Sequence, residues 1–316
     1  MKRIVYPIIL VLFTFVSGFA QEYGAYSQYL VNPVLVNPAL TGFNGGHDLL
    51  LNYKRQWAGF EGTPSMVTFN YNGQLSDNGG VGFTLFNENM AATRRFRVSG
   101  AYAYHVQLSD MKIGLGLQAD YVQEKLSDNV LTDGQVDPND PTLLAAADGI
   151  SFFDAAFGFH ARYKDNLYFG FSLPHLVRAR LSDVEGTEDA EGTGFKSFTA
   201  NVGYNYALPH LDMSIDPSIM VRKMFNGPIS IDGNLLFTFL DSQLYGGLTY
   251  RYTVDAGSGL GVLIGTRFSN VSIFYSYDAG FGSFQAYNNG GHEFGLGFRI
   301  GKSKQTAPTE QSPGNF

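Results

Sequence analysis

The chain has 316 residues, no cysteine, 38 glycines, 27 phenylalanines, 19 tyrosines and a formal net charge of -7. The missing cysteine excludes a disulfide scaffold, a Cys-ligated metal site, a thiol nucleophile and a lipid anchor on cysteine. The acidic balance argues against a nucleic-acid partner, which needs a basic surface, and the abundant glycine and aromatic residues favour strands and turns over helices.

The first 20 residues have the pattern of an export signal peptide. Lys2 and Arg3 supply the positive charge, residues 4–16 form a short apolar core, and residues 18–20 have the small-x-small cleavage pattern. We expect the mature chain to begin near Gln21. No later stretch approaches the roughly 18 apolar residues of a membrane helix, so we expect export without a helical anchor.

Residues 47–301 alternate between apolar and polar or small residues with a period of two. Met111, Ile113 and Leu115, for example, alternate with Lys112 and Gly114. Successive side chains of a strand point to opposite faces, so this pattern predicts strands with one apolar face. We predict fourteen strands: 47–56, 65–75, 79–88, 94–108, 110–126, 150–163, 166–173, 195–208, 210–224, 227–240, 243–253, 258–269, 270–278 and 290–301.

These strands favour an antiparallel transmembrane β-barrel over a soluble β-sandwich, which also alternates. Many are close to the ten residues that a tilted strand needs to cross a bilayer, and aromatic residues cluster at their ends. Glycines and charges of both signs occupy the opposite face, as expected for a barrel lumen. The sequence therefore predicts an all-β barrel of about 14 strands.

The connections between the predicted strands set the expected orientation. Those after even-numbered strands are short, whereas 56–64, 127–149, 174–194 and 279–289 are long, with the turn at Asn226 and Gly227 as an exception. Outer-membrane barrels have short periplasmic turns and long outer loops. We therefore expect both termini in the periplasm and the long loops outside the cell.

Two segments flank the predicted barrel. Residues 21–46, rich in Tyr, Asn and Pro, are expected either to plug the lumen or to form a periplasmic clasp. Residues 302–316 have the composition of a flexible polar tail.

Several charged or polar residues fall on the predicted inward face, where pairing or hydration is required. We expect them to pair with one another, to line a pore or to bind a plug; they are Arg95, Arg97, Lys112, Asp120, Asp154, His160 and Arg162. His105 is also predicted inward. The sequence shows no catalytic constellation, no cofactor motif and no metal-ligand spacing, and an outer-membrane hydrolase using these histidines is the least favoured interpretation.

Two predicted outer loops are acidic. The first contains Asp133, Asp137 and Asp140, and the second contains Asp183, Glu185, Glu188, Asp189 and Glu191. The spacing of an EF-hand is absent, so we favour a solvated acidic surface over a Ca²⁺ site.

Motifs in the first hundred residues resemble the PorP/SprF family. They are Ser27-Gln28-Tyr29, Asn32-Pro33, Asn37-Pro38-Ala39 with residues 40–42, the run 53–64 that contains Arg55, Gln56, Trp57 and Phe60, and residues 78–82 with 87–88. The resemblance extends over essentially the whole mature chain, although the chain continues past its last predicted strand.

The resemblance implies an outer-membrane barrel of Bacteroidetes, tied to type IX secretion and gliding motility. It implies that the barrel binds a large secreted cargo with a type B C-terminal domain and other secretion subunits. Ser27 to Tyr29 and Asn37 to Ala39 are then candidate plug or partner contacts. Arg55 to Trp57 and Phe60 are candidate docking residues, or anchors in the outer-membrane lipid headgroups. The alternative is a channel for small solutes or hydrophobic molecules.

Overall fold

A computed structural model describes residues 27–59, 62–127, 148–180, 196–255, 257–281 and 289–301. The predicted signal peptide, the predicted polar tail, Phe60 and the acidic residues of the two predicted outer loops lie outside these ranges. The side chains of Ser27 and Gln28 also lie outside the description.

The described residues contain sixteen β-strands and four short 3₁₀ turns. The turns are Ser27–Leu30, Pro33–Leu35, Pro38–Leu40 and Pro209–Leu211. The strands are β1 (His47–Arg55), β2 (Ser65–Ser76), β3 (Gly79–Met90), β4 (Thr93–Leu108), β5 (Met111–Leu126), β6 (Ile150–Tyr163), β7 (Leu167–Leu173), β8 (Ala179–Arg180), β9 (Phe198–Tyr204), β10 (Tyr206–Leu208), β11 (Met213–Lys223), β12 (Ser230–Phe239), β13 (Leu244–Thr253), β14 (Gly257–Phe268), β15 (Val271–Gly280) and β16 (Gly291–Ile300).

The strands close into an antiparallel barrel. β1 pairs with β2 on one side and with β16 on the other, and β9 pairs with both β7 and β11. β10 continues β9 along β11, and the two-residue β8 pairs with β6, so fourteen strand positions form the ring. The predicted fold class is confirmed. Among the described residues, each of the fourteen positions pairs with a strand on both sides, as strands in a hydrocarbon environment require.

The predicted alternation separates an apolar outer face from a polar inner face. On β5, Leu115 and Leu117 are exposed on the outside, Leu117 by 64 %, whereas Gly116 and Asp120 are buried. The same alternation holds on the other long strands. Among the described residues, no helix is long and apolar enough to span a bilayer.

The two ends of the barrel differ. At one end, called here the short-turn end, neighbouring strands are joined by two to four residues, as at 77–78, 109–110 and 209–212. Ser109, Asp212 and Ser269 take left-handed backbone conformations there, as tight turns often require. The other end, called here the long-loop end, carries the connections 56–64, 127–149, 174–197 and 281–290, together with shorter ones such as 91–92.

A buried ion cluster ties β1 to the strands that close the ring. The Nζ atom of Lys54 lies 3.3 Å from Oδ2 of Asp278 and 3.6 Å from Oε2 of Glu293, and Asn52 Nδ2 donates to Oε1 of Glu293 at 2.8 Å. The side chains of Lys54 and Glu293 are each only 1 % exposed. Because buried charges must be paired, this cluster favours the register that joins the first strand to the last.

Lys54→Ala should destabilise the barrel, because it leaves two partly or fully buried carboxylates without their ammonium partner. Removing one member of a buried pair typically costs about 3 kcal/mol or more. We expect a lower midpoint for urea-induced or heat-induced loss of the compact band on a gel. Lys164→Ala is the control, since the Lys164–Asp110 pair is exposed on both sides. Equal midpoints for the two variants would contradict a structural role for the cluster.

Candidate functional site

The N-terminal segment, residues 27–46, lies inside the barrel and is called the plug below. Its turn Pro38–Leu40 packs against the inner faces of β4, β5 and β6, and Ala39 and Thr41 have no exposed surface. The sequence analysis left two alternatives for this segment, a plug in the lumen and a periplasmic clasp. In the structure the segment lies in the lumen. The plug extends along the lumen, from Phe43 near the short-turn end to Tyr29, which contacts Asp232 near the long-loop end of β12.

The sequence Asn37-Pro38-Ala39 forms a turn that also bonds to the wall. The Oδ1 atom of Asn37 accepts from the backbone N–H of Ala39 at 3.0 Å, which caps the short turn. Its Nδ2 group donates to the carbonyl of Phe159 on β6 at 2.9 Å. Ser172 on β7 donates to the carbonyl of Val36 at 2.7 Å, so two strands hold this turn.

The plug backbone approaches the wall closely at four inward glycines, called the glycine pad: Gly80, Gly114, Gly116 and Gly158. A Cβ atom added at Gly116 would lie 2.3 Å from the backbone nitrogen of Ala39, and one at Gly80 would lie 2.1 Å from the carbonyl oxygen of Thr41. Real Cβ atoms do not come this close to backbone atoms. The missing side chains of the pad therefore allow the plug backbone to lie directly against the wall, and close backbone approach of this kind is a common reason for glycine in a strand.

Phe43 fixes the plug near the short-turn end. Its ring is 1 % exposed and makes edge contacts with His105 and His160, with ring centroids 5.3 Å and 4.8 Å apart. The Nζ atom of Lys112 and the Cζ atom of Arg162 lie 4.4 Å and 4.9 Å from the ring centroid, and Lys112 also donates to the carbonyl of Phe43. Such cation–π contacts stabilise a buried aromatic ring among cations.

The Phe43 site unites three predicted lumen residues, Lys112, His160 and Arg162, around a residue that the sequence analysis did not single out. The inward positions of these residues followed from strand alternation. Nothing in the local sequence connects them to position 43, which lies roughly 60 or more residues earlier in the chain.

Tyr29 joins the plug to the opposite wall. Its hydroxyl lies 3.0 Å from Oδ2 of Asp232 and 2.9 Å from Oδ1 of Asn234. Burial and the neighbouring Asp232 carboxylate raise the pKa of the Tyr29 phenol, so the phenol stays protonated and can donate. Arg251 binds the same carboxylate through two contacts of 2.9 Å and 3.1 Å, and Arg222 lies 3.5 Å from it.

The predicted docking residues lie apart from the plug, at the long-loop end. Arg55 ends β1, is exposed, and donates through Nε to Oγ1 of Thr63 at 3.1 Å. The backbone N–H of Gln56 donates to the carbonyl of Pro64 at 2.9 Å. Trp57 takes a left-handed conformation with φ of 50° and is 36 % exposed. The candidate contact residues thus form two groups, one in the lumen and one on the rim.

A cavity of about 190 Å³ lies between the plug and the long-loop end, and is called the upper cavity. Val34 and Pro38 of the plug line it on one side, and Phe86, Phe152 and Phe225 contribute apolar wall. The predicted lumen residues Arg95, Arg97, Asp120 and Asp154 line it as well.

Arg95 belongs to an ion-pair chain along this wall. Its Nη1 atom lies 3.3 Å from Oε2 of Glu88 and its Nε atom lies 2.8 Å from Oε1 of Glu124. Arg178 reaches the same Glu124 oxygen at 3.3 Å and stacks over the ring of Phe152. Two carboxylates and two guanidinium groups therefore satisfy one another.

Asp120 and Asp154 lie directly opposite each other on β5 and β6, facing inward. Asp120 accepts from Nε2 of Gln118 at 2.9 Å, and Asp154 lies 2.5 Å from Nδ1 of His175. The like charges sit side by side only because each has its own polar partner.

His175 and Arg178 reveal a difference from the predicted outward loop 174–194. After β7 the chain turns into the barrel, with His175 at φ of 60° and the N–H of Leu176 donating to the carbonyl of Ala155 at 2.7 Å. Pro174 cannot continue the strand ladder as a donor, which accounts for the turn. In the sequence, this proline was the only indication that the strand ends here.

In the part of the chain that the structure describes, no three His, Cys, Asp or Glu side chains lie close enough together to hold a metal ion. The rings of His105 and His160 both contact Phe43.

Comparison with known proteins gives one family and one fold. A family described as type IX secretion system membrane protein PorP/SprF matches residues 18–298. The CymD monoaromatic hydrocarbon channel is similar in structure, with a TM-score of 0.53, 12 % identity, and coverage of 89 % of this chain and 94 % of that chain.

Two other solved structures are similar at lower scores. The toluene transporter TbuX of Ralstonia pickettii has a TM-score of 0.49 and 10 % identity, and covers 85 % of this chain and 93 % of its own. The outer membrane protein Omp33 of Acinetobacter baumannii has a TM-score of 0.47 and 9 % identity, with coverage of 82 % and 100 %. No curated protein matches. At these identities the likeness shows the barrel fold alone.

Gly116→Val should unseat the plug, because the new side chain would overlap the backbone of Pro38 and Ala39. Overpacking of this kind costs about 1–3 kcal/mol, enough to expose the plug roughly tenfold more often. Since the chain has no cysteine, a buried Thr41→Cys reporter can be labelled with a water-soluble maleimide, and we expect faster labelling.

The matched control for this prediction is Gly100→Val. A Cβ at Gly100 meets nothing within 4 Å, and the residue lies on the outer face of β4. Labelling at the wild-type rate in Gly116→Val would show that the glycine pad does not hold the plug.

Proposed function

Because this chain belongs to the PorP/SprF family of type IX secretion system membrane proteins, we propose that it supports secretion and surface attachment of a cargo protein by binding it. The cargo is an adhesin-like protein with a type B C-terminal domain, and the barrel works beside other secretion subunits in the gliding apparatus of a member of the Bacteroidetes. The observation that carries this proposal is the plug. A barrel whose lumen contains a packed plug, with the upper cavity next to it, is suited to holding a partner.

The proposed placement follows from the asymmetry of the barrel. The protein is exported by its signal peptide and sits in the outer membrane, with the short-turn end in the periplasm and the long-loop end outside. Short turns on the periplasmic side are the general arrangement of bacterial barrels. The cargo then meets the long-loop end, where most of the longer connections lie.

The rim group is the proposed docking surface for this cargo. Trp57 and Arg55 are of the residue types that dominate binding energies at protein interfaces, and both have exposed surface at the long-loop end. An exposed indole at this level could equally lie among lipid headgroups, and the variants below separate the two roles.

A channel for small solutes is the second candidate, favoured by the upper cavity. Its difficulty is the plug, which would have to leave a seat made of the glycine pad, the Phe43 site and the bonds of Asn37. We propose no catalytic role for His105 and His160, whose rings contact Phe43.

Deletion of the gene in its native host should abolish surface display of at least one large secreted protein, because the barrel is proposed to hold it. Mild-detergent purification of the tagged barrel, followed by mass spectrometry, should recover that protein. Normal display of all secreted proteins, together with a barrel that purifies alone, would refute the proposal. Reproducible single-channel conductance would then favour the channel.

Arg55→Glu combined with Trp57→Ala should lower the amount of co-purified cargo without lowering the amount of folded barrel. Loss of two contact residues costs about 2 kcal/mol or more at an interface centre, so recovery should fall at least tenfold. Lys164→Glu combined with Leu211→Ala changes a cation and an exposed apolar residue at the short-turn end and serves as control. If the double variant yields less folded barrel, but the folded fraction still recovers the wild-type amount of cargo, the rim residues act as lipid anchors instead.

A further inference from the structure

We propose that the upper cavity binds the free C-terminal carboxylate of an extended peptide, with Arg97 as the recognising cation. The inference deepens the proposed function and rests on it in one respect, namely that the peptide belongs to the secreted partner. Several residues that line the cavity, among them Glu88, Arg95 and Phe152, lie near the long-loop ends of their strands, where that partner is proposed to dock.

Arg97 lines this cavity and interacts electrostatically with Glu88, but the close ion pair of Glu88 is with Arg95. Arg95 and Arg178 pair with Glu88 and Glu124, as described above. Among the described residues, no carboxylate lies within 4.0 Å of the Arg97 guanidinium, and its buried Nε atom has no hydrogen-bond acceptor.

The guanidinium of Arg97 is held in place by an aromatic ring. Its Cζ atom lies 4.8 Å from the centroid of the Phe86 ring, a cation–π contact that fixes the plane of the group. A fixed planar fork of N–H donors matches the two oxygens of a carboxylate. A buried donor without an acceptor is also costly, so binding an anion relieves that cost.

The rest of the cavity suits a peptide better than a second anion. The inward carboxylates of Asp120 and Asp154 would repel another negative group but can accept N–H donors. Arg97 faces Val122 across the ladder, and Val122 is two residues from Asp120 on the same face, a spacing of about 7 Å. An extended peptide places its terminal carboxylate and a backbone N–H of an earlier residue at a comparable spacing.

Apolar groups complete the site. Val34 and Leu35 of the plug lie on one side, and Phe152 and Phe225 lie on the other. Apolar walls with a few convergent polar groups are the usual make-up of a binding pocket. The chain's own last described strand ends at the short-turn end, on the far side of the plug, so a partner approaching the long-loop end is the better source of the carboxylate.

The first experiment measures binding of a defined probe to the purified full chain in detergent. The probe is the peptide acetyl-Ala-Leu-Val-Leu with a free carboxylate, compared with the same peptide as its C-terminal amide, by titration calorimetry. We expect the acid to bind at least about tenfold more tightly than the amide, as a charge-assisted contact predicts. Equal affinities would overturn the proposal.

Arg97→Gln removes the charge and should abolish the preference for the acid. Arg94→Gln is the matched control, because Arg94 is an exposed neighbour on the other face of β4, bonded through Nε to Asn87 Oδ1 at 3.2 Å. Both variants must keep the compact, heat-modifiable band of a folded barrel. A preference that survives in Arg97→Gln would refute the assigned residue, and valerate binding as tightly as the peptide acid would replace the peptide by a small carboxylate.

A second experiment separates failure of this inference from failure of the proposed function. If cargo co-purifies equally with the wild type and with Arg97→Gln, and the acid shows no preference, the proposed function stands and the carboxylate site is refuted. If the acid preference is present but no secreted protein co-purifies, the site stands and its assignment to a secreted partner is overturned.

Discussion

The close approach of the plug backbone to the glycine pad is the contact on which the rest of the lumen depends. At Gly80, Gly116 and Gly158 a single Cβ atom would collide with plug atoms at 2.1 to 2.3 Å, so the depth of the plug is set by the absence of side chains on the wall. Once seated, the plug brings Phe43 among its cations and Asn37 within reach of the Phe159 carbonyl. It also forms one wall of the upper cavity.

The charges of the lumen follow from the closure of the barrel. Strands buried in hydrocarbon must face it with apolar side chains, so polar residues that alternate with them turn inward, where they must find partners. Most do: Lys54 with Asp278 and Glu293, and Asp232 with Arg251. Glu293 and Arg251 lie on strands that pair directly with those of Lys54 and Asp232, so these pairs also record the strand register, whereas Asp278 lies one strand farther from Lys54. Several inward residues of the described chain keep a buried polar atom without a hydrogen-bond partner, and the Nε atom of Arg97 is the one on which the proposed site in the upper cavity rests.

The sequence predicted the barrel well because strand alternation is a local property. The inward placement of Arg95, Asp120, Asp154 and His160 needed only a period of two and the correct strand boundaries. The Phe43 site could not be predicted from the sequence, because it joins one plug residue to three strands that are distant from it in the chain, and no local pattern shows such a contact. The inward glycines were visible as small residues, but their use as a seat needed the plug's position. The inward turn at His175 was not predicted. Pro174 ends the strand pairing there, and the composition of the following loop does not show whether the chain turns inward or outward.

Whether such a barrel conducts or binds depends on which of its contacts must break for it to act. Passage of a solute would require the plug to give up the glycine pad, the Phe43 site and the Tyr29 contact to Asp232 together, and these lie on the neighbouring strands β3 to β6 and on β12 across the lumen. Holding a partner at the rim residues Arg55 and Trp57 requires none of these contacts to break, because the rim residues lie on β1 and the turn after it, apart from the plug. The distribution of contacts therefore supports the proposed role as a barrel that binds its partner while the plug stays seated.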